Sequence, residues 1–173
     1  MTTIETFIFF TGCLSSSVFS GKVRHMIEVY ISGICEPSPG GRAYYGFAVY
    51  HCSHNQDVIE NTKLLFTHTK QYVPIVEGET SNYIAEYCAL ISALTWLRKN
   101  NLWSKEIVFF SDSTLLINQC NGYWKVNDGI YKRFAEKALS MISNLNKKQF
   151  IYVPVEFNLC EKLLKTYIER ITK

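Results

Sequence analysis

Apolar residues recur along this chain first in a strand-like and then in a helix-like period. Glu28-Val29-Tyr30-Ile31-Ser32 reads as a β-strand that ends at Gly33. The run Glu36-Pro37-Ser38-Pro39-Gly40-Gly41 is dense in turn formers and predicts a loop. Tyr44 to Tyr50 is aromatic and β-branched, and Val58 to Phe66 reads as a third strand, so the three predict an antiparallel meander. From Asn82 the period changes: Ile84, Tyr87, Cys88, Ile91, Leu94 and Leu97 repeat at helical spacing. Ser81 or Thr80 can cap that helix, and Lys99-Asn100-Asn101 closes it. Glu106-Ile107-Val108-Phe109-Phe110 is continuously apolar after its first residue, which suits a buried parallel strand. Ser113 to Gln119 and Tyr131 to Leu145 read as helices, Phe150 to Val153 as a last strand, and Leu159 to Ile171 as a last helix.

Three strands, a helix, a strand, helices, a strand and a helix imply an α/β fold with one mixed five-stranded sheet: three antiparallel strands, then two parallel ones, flanked by helices. The domain runs from 26 to 173, without an internal repeat or linker. Residues 1–25 form an extension whose apolar run, Phe7 to Leu14, has no basic leader and is too short to span a membrane. An upstream start, a docking tail and an extra strand all fit it.

Composition adds a class and a charge asymmetry. With 173 residues, 47 % hydrophobic and 19 % charged, the chain can bury a substantial core and is not disordered. Through Trp124 there are 8 Lys and Arg against 10 Asp and Glu; from Lys125 onward there are 10 against 5. A basic C-terminal part hints at a polyanionic partner, although solvated surface helices account for it equally well. None of the six cysteines (Cys13, Cys35, Cys52, Cys88, Cys120, Cys160) forms a Cys-x-x-Cys pair, which argues against zinc. Cysteines in apolar runs behave as small core residues, and point to a reducing, cytoplasmic setting.

In such a sheet the C-terminal ends of the parallel strands form the usual active-site edge. Ser32-Gly33 and Ser111-Asp112-Ser113 fall there, and Glu86 lies one turn into the first long helix. Singly, each has a plain structural role: Glu86 as an exposed helix residue, Asp112 as an acid at a helix N-terminus, Ser111 and Ser113 as caps. Jointly they make a pattern. Tyr30-Ile31-Ser32-Gly33-Ile34-Cys35, a Pro/Gly loop and Gly46-Phe47-Ala48-Val49-Tyr50 resemble the opening of type 1 ribonuclease H. Thr80-Ser81-Asn82-Tyr83-Ile84-Ala85-Glu86 is similar to that family's Thr-x-Asn-Asn-x-x-Glu segment. Ser111-Asp112-Ser113 with Asn121-Gly122-Tyr123-Trp124-Lys125-Val126 resembles the Ser-Asp-Ser and Asn-Gly-x-x-Lys-Val of its archaeal-like branch. Val153 to Leu163 resembles Val-Pro-Arg-Glu-x-Asn-x-x-Ala-Asp-x-Leu. Four ordered motifs cover nearly everything after Met26.

The resemblance implies a ribonuclease H-like fold and a nuclease ancestry. The family cleaves the RNA strand of an RNA–DNA hybrid with two Mg²⁺ ions, or Mn²⁺, held by four carboxylates. Carried over, Glu86 and Asp112 match the second and third carboxylates, Glu161 stands for the fourth, usually Asp, and Ser32 stands where the first Asp bridges both metals. A serine hydroxyl is neutral and a poor Mg²⁺ ligand, so metal binding should be weakened or lost. The expected cost is roughly 3–6 kcal/mol of transition-state stabilisation, about 10²–10⁴ in rate. Glu28 lies four residues from Ser32, about 13 Å along a strand, too far to substitute. Glu36, in a loop, is the other acid that could swing in. His25, His51, His54 and His68 all precede the first long helix, so none matches the family's late histidine. Val155 replaces an Arg and Tyr83 an Asn.

By the same resemblance Asn82 and Ser38 match contacts to the hybrid, where short polar groups can read a 2′-hydroxyl, and Ser113 joins them. Tyr44, Tyr45, Tyr123 and Trp124 can stack on nucleotides, with core packing expected for at least half of them. Lys125, Lys132 and Arg133 are candidates for phosphate. The function expected first is a catalytically impaired pseudoenzyme that binds RNA, an RNA–DNA hybrid or a ribonucleoprotein such as a ribosome. Active two-metal cleavage of hybrids, and a protein–protein module on the same scaffold, are the alternatives.

Overall fold

The computed structural model describes residues 24–55 and 58–173; the extension through residue 23 lies outside the described residues. Five strands form one sheet: β1 (Arg24–Glu36), β2 (Arg42–Asn55), β3 (Val58–Tyr72), β4 (Glu106–Ser111) and β5 (Lys148–Tyr152). Four helices accompany them: α1 (Asn82–Lys99), α2 (Thr114–Cys120), α3 (Lys132–Ile142) and α4 (Leu159–Ile171). The sheet order is β3-β2-β1-β4-β5. The first three strands are antiparallel, and β4 pairs parallel to β1 and β5 to β4. This is the mixed sheet that the element order implies.

Strand alternation divides the core into two layers. Ile27, Val29 and Ile31 of β1 face α1 and α3, where they pack with Phe109, Leu90, Leu94, Ala135, Ala138 and Ile142. Tyr30, Ala48, Val108 and Phe110 face the other way, toward Val153 and Cys160. Ser32 belongs to this second set by its parity.

The meander is longer than the hydrophobic pattern indicates. β3 continues past Phe66 through Thr67-His68-Thr69-Lys70-Gln71 and pairs as far as Ala43↔Tyr72. As the edge strand its outer face is wet, so polar residues extend it without cost to the core. β1 likewise runs to Glu36, which pairs with Arg42. Glu36 is therefore a strand residue four positions from Ser32, about 13 Å away by strand rise, and the swinging loop acid is corrected. At the head of α1, Ser81 is the cap: its hydroxyl accepts from Ile84 N at 3.2 Å. The Thr80 hydroxyl donates instead to the Gly41 carbonyl, tying the Pro/Gly loop to the helix start.

Candidate active site

Parallel pairing sets β1 and β4 in register, with Ile31 opposite Ser111. Ser32 and Asp112, the next residue of each chain segment, therefore emerge together at one edge. Two glycines let helices reach them. A Cβ on Gly33 would lie 2.4 Å from the Glu86 backbone nitrogen, so only glycine admits α1 this close to β1. A Cβ on Gly46, directly across from Ser32, would lie 2.8 Å from the His68 carbonyl oxygen and 3.3 Å from Cys160 Sγ. The bare backbone there seats the first turn of α4 and brings Glu161 to Ser32.

The hydrogen bonds tie all four positions into one edge. The buried Ser32 hydroxyl donates to Glu161 Oε2. Glu161 Oε1 takes an ion pair from Lys165 Nζ at 3.2 Å, one helical turn on. Asp112 Oδ1 accepts from Asn158 Nδ2 at 2.5 Å, and the same amide donates to the Ile31 carbonyl at 2.8 Å. Glu86 Oε2 accepts from the Ser113 hydroxyl at 2.5 Å. Burial pushes the Glu86 carboxyl up to about 8; the Asp112 and Glu161 charges add to this, and the Ser113 hydrogen bond opposes it. Asp112 is also raised, by burial above all, with Asn158 and the Lys165 charge opposing.

These contacts test the fit of a divalent metal. Each carboxylate already has a donor from the chain: Ser113 on Glu86, Asn158 on Asp112, Ser32 and Lys165 on Glu161. Among the described residues no three His, Cys, Asp or Glu stand close enough to hold a metal ion. The donor set does not fit the paired metals of an intact two-metal nuclease. The last motif shows the same departure in its register. Counted without a gap from Val153, its Asp falls at Lys162, which is exposed, while the buried acid comes one residue earlier.

Of the residues expected to meet nucleic acid, Ser38 and Asn82 lie together beside the start of α1, whereas Trp124 and Lys125, after α2, line a cleft with Lys148 at the start of β5, away from this edge. The Ser38 hydroxyl accepts from Asn82 N at 3.1 Å, and Asn82 Oδ1 accepts from Cys35 N at 2.6 Å, so both brace the loop as well as lining it. Next to Asn82, Tyr83 meets the Tyr131 ring at 5.5 Å. Arg133 pairs with Glu79 at 3.5 Å and covers the Phe134 ring, while Lys132 pairs with Asp128 at 2.7 Å. Tyr123 and Trp124 are exposed, at 76 % and 50 %, as is Lys125. Tyr44 and Tyr45 instead pack inward, Tyr44 against the Tyr167 ring, which realises the core role expected for half of these aromatics. Ser113 is buried, and its hydroxyl caps α2 through Leu116 N while holding Glu86, so it presents nothing to a ligand.

Three residues matter that the sequence reading left without a role. Asn158 sits in the quoted last motif; it caps α4 through Cys160 N and holds Asp112. Lys165 follows Glu161 at the i,i+4 spacing that favours an ion pair, which was the available signal. Gln119 is a polar residue on the buried side of α2. It accepts from Tyr87 OH at 2.6 Å and donates to the Lys125 carbonyl at 2.8 Å, fixing the loop that carries Tyr123 and Trp124. Beside that loop lies a cleft of about 480 Å³, lined among others by Gln119, Trp124, Lys125 and Lys148.

Comparison with known proteins agrees with this geometry. The N-terminal ribonuclease H domain of a Mycobacterium tuberculosis protein superposes with a TM-score of 0.67 at 23 % identity, covering 84 % of this chain and 94 % of that one. Ribonuclease H1 of the halophilic archaeon Halobacterium salinarum gives 0.65 at 21 %, covering 84 % and 98 %. LC11-RNase H1, from compost and in complex with an RNA/DNA hybrid, gives 0.65 at 24 %, covering 87 % and 100 %. At these identities the likeness is one of fold. The sequence model described as reverse transcriptase-like matches residues 59–164. With that match over more than half its length, the chain belongs to the reverse transcriptase-like family, and it has the fold of type 1 ribonuclease H.

Proposed function

We propose that this chain is a ribonuclease H-like protein that binds RNA or an RNA–DNA hybrid and is impaired as a nuclease. One observation carries the reading: Ser32 stands at the position of the metal-bridging acid, and its hydroxyl is already given to Glu161. Removing a shared negative ligand leaves two cations and a phosphate under-compensated, whereas the polar and aromatic groups that can meet nucleic acid do not depend on it. Ser38, Asn82, Tyr123, Trp124 and Lys125 supply groups that can meet a sugar, a base face and a phosphate. A relative of the same fold has been seen with an RNA/DNA hybrid. The free thiols among the described residues fit a reducing, cytoplasmic setting, and no helix there is long and apolar enough to cross a membrane. A ribonucleoprotein such as a ribosome is a natural target for such a domain.

A second reading has its own support. Glu86, Asp112 and Glu161 do share one edge, as an active two-metal endoribonuclease requires. A cleavage assay on RNA–DNA hybrid with Mg²⁺ and with Mn²⁺, beside a binding assay in the same buffers, separates the two. The expected result is binding with cleavage slowed by about 10²–10⁴ relative to an intact two-metal nuclease. Cleavage at full rate with either metal would overturn the impairment, and absence of binding to both RNA and hybrid would overturn the proposal.

A further inference from the structure

The chain brings its own cation to the acidic edge. Lys165 Nζ lies 3.2 Å from Glu161 Oε1, and the other oxygen of that carboxylate is taken by the buried Ser32 hydroxyl. Asp112 Oδ1 is in turn held by an amide that the end of β1 also anchors, so turning that oxygen toward a metal breaks the bond from Asn158. A magnesium ion asks for hard oxygen ligands in near-octahedral array and surrenders its waters reluctantly. Here it would have to evict Lys165 and accept a neutral hydroxyl in place of a carboxylate. An ammonium on a flexible four-carbon stem is the compact point charge that can replace one of its two charges without any such demand.

We propose that Lys165 stands in for a divalent cation at Glu161, so that this carboxylate is neutralised from within the chain and the edge does not take up the metal and engages nucleic acid without one. The inference rests on the nucleic-acid-binding reading only for its last clause. The loss of Asp at position 32 and the ion pair at 165 then belong to one change: once the bridging acid is gone, a single positive charge balances what remains better than two metals would.

The test begins with the protein alone. Mn²⁺ is titrated against wild type, Lys165→Gln and Lys165→Arg and followed by the loss of free-ion electron paramagnetic resonance. Lys165 is 59 % exposed in its side chain, so both variants should fold, and circular dichroism checks that they do. Lys165→Gln should bind Mn²⁺ at least about tenfold more tightly than wild type, and Lys165→Arg, which keeps the charge, should not. Equal Mn²⁺ affinity in all three proteins would overturn the proposal. The second arm measures hybrid affinity in EDTA and in Mg²⁺. Wild type should bind equally within about twofold in both buffers; tightening by about tenfold in Mg²⁺ would equally overturn it. No hybrid binding in either buffer would remove the last clause together with the functional reading, while the manganese titration would still decide whether Lys165 keeps metal out.

Discussion

Replacing Glu86 by Gln should stabilise the protein at alkaline pH and leave it unchanged in mild acid. The Glu86 carboxyl is raised from 4.5 to about 8, mainly by burial between α1 and the end of β4. Between those values the folded chain keeps a proton that the unfolded chain has lost. Stability therefore falls as pH rises through this window, is undiminished by this group below 4.5, and has lost its full share above 8. The interval corresponds to a ceiling of roughly 5 kcal/mol; relaxation of the ionised site should bring the measured difference to about 2–3 kcal/mol. Glutamine removes the titration and still accepts the hydrogen bond from Ser113. Asp112 is raised as well, but it is present in both proteins and cancels in the difference. Urea midpoints of wild type and Glu86→Gln at pH 5, 7 and 9 in EDTA give the answer directly. A difference that stays flat from pH 5 to 9 would refute the burial argument, because it would mean that Glu86 ionises at this edge as freely as in water.

Other outcomes follow from the same contacts. Ser32→Asp places a second carboxylate against the buried Glu161 and should destabilise the protein in EDTA by about 1–3 kcal/mol while making its melting temperature rise with Mg²⁺. The same variant should recover part of the hybrid cleavage, and adding Glu161→Asp should change that recovery non-additively, since both serve one cluster. Gln119→Leu leaves Tyr87 OH and the Lys125 carbonyl without their partner, so a loss of about 2–4 kcal/mol is expected, with faster amide exchange over residues 122–130 and weaker nucleic-acid binding. Neutralising Lys125, Lys132 and Arg133 together should weaken nucleic-acid affinity and flatten its salt dependence by up to about three counterions; an unchanged slope would favour a protein-binding role for this face.

The order and type of the elements were legible because burial imposes a period. α4 begins and ends where the Leu159 to Ile171 pattern places it, and the apolar run of β4 is the buried parallel strand it resembles. The outer half of β3 was not legible, since an edge strand with a wet face carries polar residues that read like loop. The loop acid at Glu36 failed for the converse reason: a turn-rich sequence that follows does not say where pairing stops. At the site the residue identities could be read by resemblance, but the partners could not. Ser113 reads as a polar group available to a ligand, yet it is buried and shared between a helix cap and Glu86.

Partnership, rather than residue type, decides what this edge can do. Three acids at the ends of β4 and the starts of two helices would by themselves describe a metal centre short of one ligand. Their donors change that account. Serine, asparagine and lysine from the chain donate to carboxylate oxygens that a metal would otherwise engage, and three of these donors are held in place themselves: Ser113 by α2, Asn158 by β1 and its own helix, Ser32 by the strand that carries it. To hold two metals, the chain would have to break several of these bonds at once and would still lack a carboxylate at position 32. That is why the proposed impairment should survive a change of metal, and why Ser32→Asp should bring only part of the activity of an intact site. Ser38 and Asn82 are braced to each other and to β1, and the loop that carries Trp124 is braced by Gln119, so neither place shares in that cost. On the proposed function, binding and cleavage are thus mechanically separable, because the groups assigned to each are held by different bonds.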